Sequence, residues 1–463
     1  MRELPEGWAI CKLGDYIKLK NGFAFKSQDY IEKKSDTFPV IRISDIDGQY
    51  ASDLNAVHVS KNQVVEGFEV ESGDLLIAMS GATTGKIGVY IGVSIAYQNQ
   101  RVGNLKLISE ADGCSSFRNH LISRLSGKIL EDAYGGAQPN ISGKAIEDLE
   151  IPLPPLNEQK RIADRLDQLL TRTDKTKAHL DRIPLLLKRF RQSVLAAATS
   201  GKLTADWREN DGPESVQIDL DTLYPISSKW NWVIISEIGT VRGGKRLPKG
   251  ESLVQRDTGQ IYIKAGNLKN GTVVADDLMF VPHHLKDVIK RYIVSGGDVY
   301  VTIVGACIGD SGIIPNSLDG ANLTENAAKI CNLKNCTSNF LAMWLQSPIC
   351  QQLIQENTLS AAQGKLALFR IEQLPLPLPP IEEQQEIVRR VEALFAKADR
   401  IEAQYKNARQ QVDRLTPALL AKAFRGELVP QDPKDEPASV LLERVKEARS
   451  IAQPAKAKRK AVK

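Results

Sequence analysis

Apolar residues recur at alternating steps of four and three in two long stretches of the chain, 162–194 and 387–419. A period of 3.5 residues held over about four heptads keeps one apolar seam facing a partner helix, which is typical of a coiled coil. Small or polar residues, Thr173, Thr176, Ala398 and Ala408, occupy the remaining steps. The predicted seam comprises Ile162, Leu166, Leu169, Leu180, Ile183, Leu187, Phe190, Val194, Ile387, Val391, Leu394, Ile401, Tyr405, Val412, Leu415 and Leu419.

The two stretches belong to an internal repeat. Residues 151–170 and 376–395 are identical at nine of twenty positions, and the offset of 225 residues holds without insertion from Gln138 to Leu203. A lone amphipathic helix on its own globular core would explain one seam. Two seams of the same register favour each helix as the other's partner, which predicts an antiparallel intramolecular coiled coil with an approximate two-fold axis.

Both helices have recognisable ends. They are predicted to begin near Asn157 and Glu382, where prolines precede and acids occupy the first turn. Each runs about 40 residues, or about 60 Å, and ends near a glycine, Gly201 or Gly426. A proline inside each predicted helix removes a backbone hydrogen bond, so local kinks are expected. These prolines are Pro184 and Pro417.

The segments between the helices read as sheet-rich. Their apolar runs are short, β-branched and bounded by Gly and Asn turns, and residues 72–90 return in altered form at 296–314. The fold class is therefore α+β, with two sheet-rich domains separated by the long helices. The predicted boundaries are 1–155 and 229–380 for these domains, 156–200 and 381–424 for the helices, 201–228 for a linker, and 425–463 for a C-terminal extension with a basic tail.

Composition adds little about partners. The net charge of +5 resides in the tail, because residues 451–463 carry five Lys or Arg and no acid, so bulk charge cannot argue for nucleic-acid binding. No run of about 18 apolar residues predicts a membrane span. The six cysteines show no CxxC pair and no histidine at ligand spacing, so we expect reduced thiols in a cytoplasmic protein and no metal site.

Two motifs resemble catalytic signatures and fail on chemistry. Residues 81–86, GATTGK, have three residues between the glycines instead of four, and Ile87 stands where a phosphate-binding loop needs Ser or Thr. LPPL at 153–156 and LPPI at 378–381 lack the polar residue and the aromatic ring that an amino-methyltransferase uses to hold a flipped base. We therefore expect no catalytic residue in this chain.

Taken together, the repeated motifs resemble one known family. The chain resembles the specificity subunit of a Type I restriction-modification system. The motifs that carry this resemblance are PEGW at 5–8, GDLLIAMSGATTGKIG at 73–88, LPPLNEQ at 153–159, LPPIEEQ at 378–384 and LLAKAFRGEL at 419–428. The resemblance implies that each globular domain is a target-recognition domain reading one half of an asymmetric, two-part DNA sequence.

The same resemblance implies partners and cofactors. The helices would fix the length of the unread spacer and dock two modification subunits that carry adenine-methyltransferase chemistry, and restriction subunits would join that core. S-adenosylmethionine, ATP and magnesium would bind in those partner subunits, and this chain would hold no cofactor.

Base reading needs branched or bidentate polar side chains, and Gly-rich loops let the backbone approach phosphates. One exchange between the domains changes the charge of such a loop: Lys86 in the first corresponds to Asp310 in the second, where an acid would repel phosphate or accept from a cytosine amino group. The predicted DNA-binding residues are Arg42, Ser80, Thr83, Thr84, Lys86, Gln98, Asn99, Arg101, Gln138 and Asn140 in the first domain, and Lys264, Asn267, Lys269, Asn322, Gln363 and Lys365 in the second.

Three other functions remain open from the residues. One is an orphan specificity subunit that serves a methyltransferase without a restriction subunit. Another is a coiled-coil interaction scaffold with no DNA role, against which the paired Gly, Asn and Lys loops argue. The last is an enzyme acting alone, against which the failed motifs argue.

Overall fold

A computed structural model of the chain describes residues 4–81, 83–133, 141–208, 226–227, 229–359 and 364–452. The chain forms two compact units. Unit 1 comprises Met1–Leu180 and Ala408–Lys463, and unit 2 comprises Asp181–Asn407. Within the described ranges, no helix combines the length and the apolar character needed to cross a membrane.

Unit 1 consists of short strands followed by helices. Its strands are β1 (Ala9–Lys12), β2 (Ile17–Asn21), β3 (Thr37–Ile41), β4 (Tyr50–Ala51), β5 (Val57–Ser60), β6 (Glu69–Val70), β7 (Leu75–Ala78), β8 (Ile87–Tyr90), β9 (Ala96–Gln98), β10 (Val102–Leu107) and β11 (Glu150–Leu153). Its helices are α1 (Ser115–Ala133), α2 (Gly143–Glu147) and α3 (Leu156–Leu180).

Three sheets organise the described strands of unit 1. The largest has the order β2-β10-β7-β8-β4, a second has the order β5-β3-β9-β6, and β1 pairs with β11. One face of the largest sheet packs on α1 and α3 in a core that includes Ile77, Leu105, Phe117 and Leu166. The β1–β11 pair is antiparallel, with Ala9 opposite Leu153, so the start of the domain lies beside the entry to α3.

Unit 2 repeats this plan with shorter strands. Its elements are α4 (Ile183–Thr199), β12 (Asn231–Ile234), α5 (Ile235–Ile238), β13 (Thr240–Gly243), β14 (Ile261–Ile263), β15 (Leu268–Lys269), β16 (Thr272–Val273), β17 (Met279–Phe280), α6 (Lys286–Ile289), β18 (Val299–Thr302), β19 (Ser311–Ile313), β20 (Asn322–Leu323), β21 (Ala327–Cys331), α7 (Ser338–Gln346), α8 (Pro348–Leu359), α9 (Leu368–Glu372), β22 (Pro375–Leu378) and the start of α10 (Ile381–Ala423). α10 continues into unit 1, where α11 (Ala438–Ala452) follows.

The strand orders of the two units correspond. The order β13-β21-β18-β19 matches β2-β10-β7-β8, and β12 pairs with β22 as β1 pairs with β11. In the second sheet of each unit a parallel pair recurs, β3 with β9 and β14 with β20. The predicted α+β class and the doubled architecture are therefore confirmed.

The long helices pair antiparallel within each unit. In unit 2, Arg191 on α4 contacts Glu402 on α10 at 2.9 Å, and the carbonyl of Leu203 accepts from Arg390 at 2.9 Å. Residue numbers therefore rise along one helix while they fall along the other, which is an antiparallel arrangement. In unit 1, Lys177 on α3 lies 3.5 Å from Asp413 on α10. The predicted antiparallel pairing of helices from one polypeptide is confirmed.

The first long helix differs from its prediction. It is two helices, because α3 ends at Leu180 and α4 begins at Ile183. Pro184 lies in the first turn of α4, where its missing N–H and fixed φ are tolerated; one helix running through it would clash with the carbonyl of Leu180. The second long helix is continuous over 43 residues, with Pro417 inside it.

Three predicted seam positions are exposed. An α-helix has 3.6 residues per turn, so a strict 3.5-residue pattern drifts by about 20° per heptad unless the helices supercoil. Off-pattern residues, among them Ala163, Leu195 and Leu420, are buried instead. Buried seam positions are Ile162, Leu166, Leu187, Val194, Ile387, Val391 and Val412; half-buried ones are Leu169, Leu180, Ile183, Leu394, Tyr405 and Leu419; the exposed ones are Phe190, Ile401 and Leu415.

Candidate nucleic-acid interface

The glycine-rich loop of unit 1 joins β7 to β8 and is held by hydrogen bonds from its threonine hydroxyls to backbone carbonyls. Gly81 and Gly85 adopt positive φ angles of 87° and 80°, which the tight turn requires and which favour glycine. The hydroxyl of Thr84 donates to the carbonyl of Gly81 at 2.6 Å, and that of Thr83 donates to Ile43 at 3.3 Å. Lys86 is exposed at the end of the loop, so among the described residues of this loop it is the side chain most open to a ligand.

A second loop of unit 1 follows β9. Gln98, predicted to read bases, is only 1% exposed, and its amide donates to the carbonyl of Lys20 at 2.8 Å. Asn99 is half-buried and donates to the hydroxyl of Tyr30 at 3.0 Å. Arg101 is exposed. Arg101 therefore points outward, and the two amides connect this part of the chain to β2 and to Tyr30.

The corresponding hairpin of unit 2, between β18 and β19, carries the opposite charge. Gly305 and Gly309 have φ angles of 103° and 92°, and Gln351 donates to the carbonyl of Gly309 at 2.9 Å. Asp310 is exposed, and partial desolvation raises the pKa of its carboxyl above the ordinary value. Among the described residues no cation lies within ion-pair distance of Asp310. The exchange of Lys86 for Asp310 thus places an acid where unit 1 places a base.

Two amides predicted to bind DNA in unit 2 are buried and hydrogen-bonded within the fold. Asn267, 4% exposed, donates to the carbonyls of Val274 and Asp276 at 3.1 and 3.0 Å. Asn322, 1% exposed, donates to the carbonyl of Ile289 at 2.8 Å. A buried amide that donates to a backbone carbonyl can reach a base edge only if that hydrogen bond breaks.

The predicted DNA-binding residues differ in how exposed they are. Thr84, Gln98, Asn267 and Asn322 are buried, because turns and strand ends need satisfied polar groups as much as interfaces do. Arg42 and Lys264 are held in ion pairs with Asp45 and Asp277. Ser80 and Thr83 are half-buried, and Lys86, Arg101, Lys269 and Lys365 are exposed. Gln138, Asn140 and Gln363 lie outside the described residues.

The repeated sequence motifs build a buried junction in unit 1. The indole of Trp8 in the PEGW motif donates to the carboxylate of Glu158 at 3.0 Å, and Gln431 donates to the other carboxylate oxygen at 3.2 Å. Burial raises the pKa of Glu158, and these two hydrogen bonds and Arg161 oppose that rise. Gln159 donates back to the carbonyl of Pro154 at 3.0 Å, which fixes the entry of α3.

Unit 2 builds the same junction around a charged partner. Trp230 donates to Glu383 at 2.9 Å, and Gln384 donates to the carbonyl of Pro379 at 2.9 Å. The second oxygen of Glu383 accepts from Thr204 and pairs with the guanidinium of Arg208. The repeated motifs identified this site, but the pairing of Trp with Glu was not predicted because the partners lie about 150 residues apart.

The described residues contain no cluster of His, Cys, Asp or Glu arranged to hold a metal ion. The six cysteines have free thiols. Burial raises the pKa of the Cys11 and Cys336 thiols to about 12, so both are protonated at neutral pH and unsuited to nucleophilic roles.

Comparison with known proteins supplies the family. The family model of the Type I restriction modification DNA specificity domain matches twice, at residues 5–185 and 227–409. The chain is 34% identical to the Type I restriction enzyme EcoBI specificity subunit of Escherichia coli, over 99% of this chain and 95% of that one. It is 31% identical to the EcoKI specificity subunit of Escherichia coli strain K12, over 99% of both chains.

Solved structures agree on the fold. The HsdS subunit from Thermoanaerobacter tengcongensis superimposes with a TM-score of 0.59 at 17% identity, covering 92% of this chain and 98% of that one. A chain from a structural study of complex assembly and conformational transition of the type I R-M system gives 0.65 at 18% identity, covering 92% and 100%. Two matched domains over most of the length show that this protein belongs to the family of Type I restriction-modification DNA specificity subunits.

Proposed function

We propose that this chain is the non-catalytic subunit that selects the DNA target of a Type I restriction-modification complex in the cytoplasm. Each unit reads one half of a two-part sequence, and the paired helices fix the length of the unread spacer. Two modification subunits dock on the chain and bring S-adenosylmethionine, and restriction subunits, with ATP and magnesium, join through them.

One observation carries the proposal of two different half-sites. The units share strand order and junction chemistry, yet the corresponding hairpins present Lys86 in one and Asp310 in the other. A lysine contacts guanine or phosphate, whereas a carboxylate accepts from the amino group of cytosine and repels phosphate. Unlike side chains at the same place in a common scaffold favour an asymmetric target over a palindrome.

The test is a map of methylated adenines across the DNA of a host that carries this gene, with the same host lacking the gene as control. We expect one asymmetric motif of two short halves separated by a spacer of fixed length. A palindromic motif, or no motif that depends on the gene, contradicts the proposal.

Variants at the two hairpins refine this test. Lys86→Ala is expected to relax or abolish recognition in one half only, and Asp310→Asn in the other half only. A well-formed base contact contributes about 1–3 kcal/mol of discrimination, or roughly 5- to 150-fold. If either variant altered both halves alike, the assignment of one half to each unit would be wrong.

The restriction partner separates the main proposal from its alternative. An orphan specificity subunit would give the same methylation motif, because modification alone writes it. Challenge of the host with unmethylated phage DNA containing the motif distinguishes them: restriction indicates a complete system, and unhindered infection indicates a methyltransferase-only complex.

A further inference from the structure

A basic cavity of about 430 Å³ lies within unit 1 beside the predicted recognition loop. Its walls include Lys18 and Lys20 from β2, Asn104 and Lys106 from β10, and Arg449 from α11. Lys18 stands opposite Lys106, and Lys20 stands opposite Asn104, in the antiparallel register of the two strands. Because side chains alternate along a strand, these four residues share the face of the sheet that lies away from the α1 and α3 core.

This placement of like charges has a cost in the free protein. Cations directly opposite each other on neighbouring strands destabilise the pair. Lys106 is compensated by Asp74 at 3.0 Å, but Lys18 has no carboxylate within ion-pair distance among the described residues. A fold that keeps an uncompensated lysine opposite another lysine points to an anionic ligand on this face.

The remaining walls leave the cavity positive. Lys20 donates to the carbonyl of Gly67 and lies 4.6 Å from the ring centroid of Phe68, so neither of these contacts neutralises it. Arg449 donates to the carbonyl of Gly14 at 2.9 Å, which anchors the guanidinium and leaves its charge in place. Four cations thus face two carboxylates here, those of Asp74 and Glu69.

A buried side chain adds a second, independent sign. Asn104 is 1% exposed, and its amide nitrogen donates to Asp74 at 2.8 Å. Its carbonyl oxygen has no hydrogen-bond partner among the described residues, although buried polar atoms are rarely left unsatisfied. An ammonium has three donors, so a lysine turned inward can bond this oxygen and a phosphate oxygen together. Asn104 would then position a lysine without touching the ligand.

We propose that this cavity binds the phosphate backbone of DNA as unit 1 reads its half-site. The inference rests on the proposed function and names an interaction that the recognition loops do not supply. Gln98 lines the cavity and precedes the loop that carries Arg101, so backbone held here lies next to a base-reading loop. Lys18 and Lys20 are two residues apart on one strand, so their Cα atoms lie about 6.8 Å apart. This distance is comparable to the rise along the DNA axis over two successive phosphate intervals of one strand, about 6.8 Å.

Salt-dependent binding separates phosphate binding from base reading. The complex of the full chain with its modification subunits is titrated with a duplex containing the mapped motif and with an unrelated duplex, between about 50 and 200 mM salt. The double variant Lys18→Ala, Lys20→Ala should lower the affinity of the complex for both duplexes by the same factor. The slope of log affinity against log salt should fall in magnitude by about 0.9 for each phosphate that the variant no longer neutralises.

Matched variants test the cause. Lys128→Ala removes an exposed lysine of α1 in the same unit, and Lys446→Ala removes one from α11 one turn before Arg449; both should leave the slope unchanged. Lys18→Arg with Lys20→Arg keeps the charges and should restore it, which excludes misfolding as the reason for the alanine result.

An unchanged slope in the double alanine variant overturns the inference, as does a weakening confined to the motif-containing duplex. Binding of inorganic phosphate or ATP that the variant abolishes, with DNA affinity intact, would assign the cavity to a small phosphate ligand and overturn the DNA assignment. If the unaltered complex bound neither duplex and the host showed no motif, the proposed function itself would fail, a result distinct from a failure of the cavity alone.

Discussion

The two helix junctions allow a matched pair of substitutions whose outcomes should differ strongly. Glu158 and Glu383 occupy the same position of the repeat and accept from Trp8 and Trp230 in the same way. Only Glu383 also pairs with a buried cation, Arg208, the two side chains being 1% and 4% exposed. Substitution of each glutamate by glutamine removes one charge and keeps a carbonyl acceptor for the indole.

The expected magnitudes follow from what each substitution leaves behind. Glu383→Gln leaves the guanidinium of Arg208 buried without its counter-charge, which costs about 3–5 kcal/mol. Glu158→Gln leaves neutral hydrogen-bond partners in Trp8 and Gln431, and the nearby Arg161 keeps its ion pair with Asp435. It should therefore cost no more than one ordinary hydrogen bond, about 0.5–1.5 kcal/mol. Each 1.4 kcal/mol corresponds to a factor of about ten in a local opening equilibrium.

Hydrogen exchange followed by mass spectrometry resolves the two junctions separately, which global unfolding of a two-unit chain does not. In Glu383→Gln, amides in 202–208 and at the start of α10 should exchange at least a hundredfold faster. In Glu158→Gln, amides at the start of α3 should accelerate about tenfold or less.

A rescue variant completes the cycle. Adding Arg208→Gln to Glu383→Gln removes the stranded charge and should recover part of the protection that the single variant lacks. Equal acceleration at both junctions, or no recovery in the double variant, would show that the buried ion pair is not what distinguishes them.

Further predictions concern the paired helices and two polar residues of unit 2, Asn322 and Lys269. One variant has seven residues inserted after Asp181 and seven after Ala408, in the stretches between the Lys177–Asp413 and Arg191–Asp399 ion pairs. It should lengthen the paired helices by about 10 Å and the spacer in the methylation motif by up to about three base pairs, with both halves of the motif unchanged. Altered halves would refute the spacer role of the helices. Asn322→Ala should destabilise unit 2 by about 1–3 kcal/mol, measured by hydrogen exchange of the amides of unit 2, since it leaves the carbonyl of Ile289 unpaired. Lys269→Ala should leave stability within about 0.5 kcal/mol and weaken DNA binding in gel shifts; the reverse pattern would reinstate Asn322 as a DNA-binding residue.

Local and periodic features were predictable. The seam spacing, the repeat, the helix starts near Leu156 and Ile381 and the glycine ends all follow from rules that act over a few residues. The positive φ angles of Gly201 and Gly426 agree with their predicted role. From the sequence, Pro184 predicts a kink, whereas the structure shows a break between α3 and α4. A proline is tolerated in the first turn of a helix and disrupts its interior, and the sequence around Pro184 does not show that a new helix starts at Ile183.

The amino-acid sequence by itself determined that this protein has two similar sheet-rich halves and two long helical segments, because periodicity and repetition survive any arrangement of the chain. The break of the first segment between α3 and α4 is visible only in the structure. Only the tertiary structure decided which polar side chains are free to act. In the sequence, Gln98 and Asn322 look like DNA-reading amides, but in the fold both are buried and donate to the carbonyls of Lys20 and Ile289. Nothing in the sequence distinguishes Lys18 and Lys106 from other lysines, but the pairing of β2 with β10 places them directly opposite each other. Burial and cross-strand pairing join residues far apart along the chain, so neither is written in any short stretch of it.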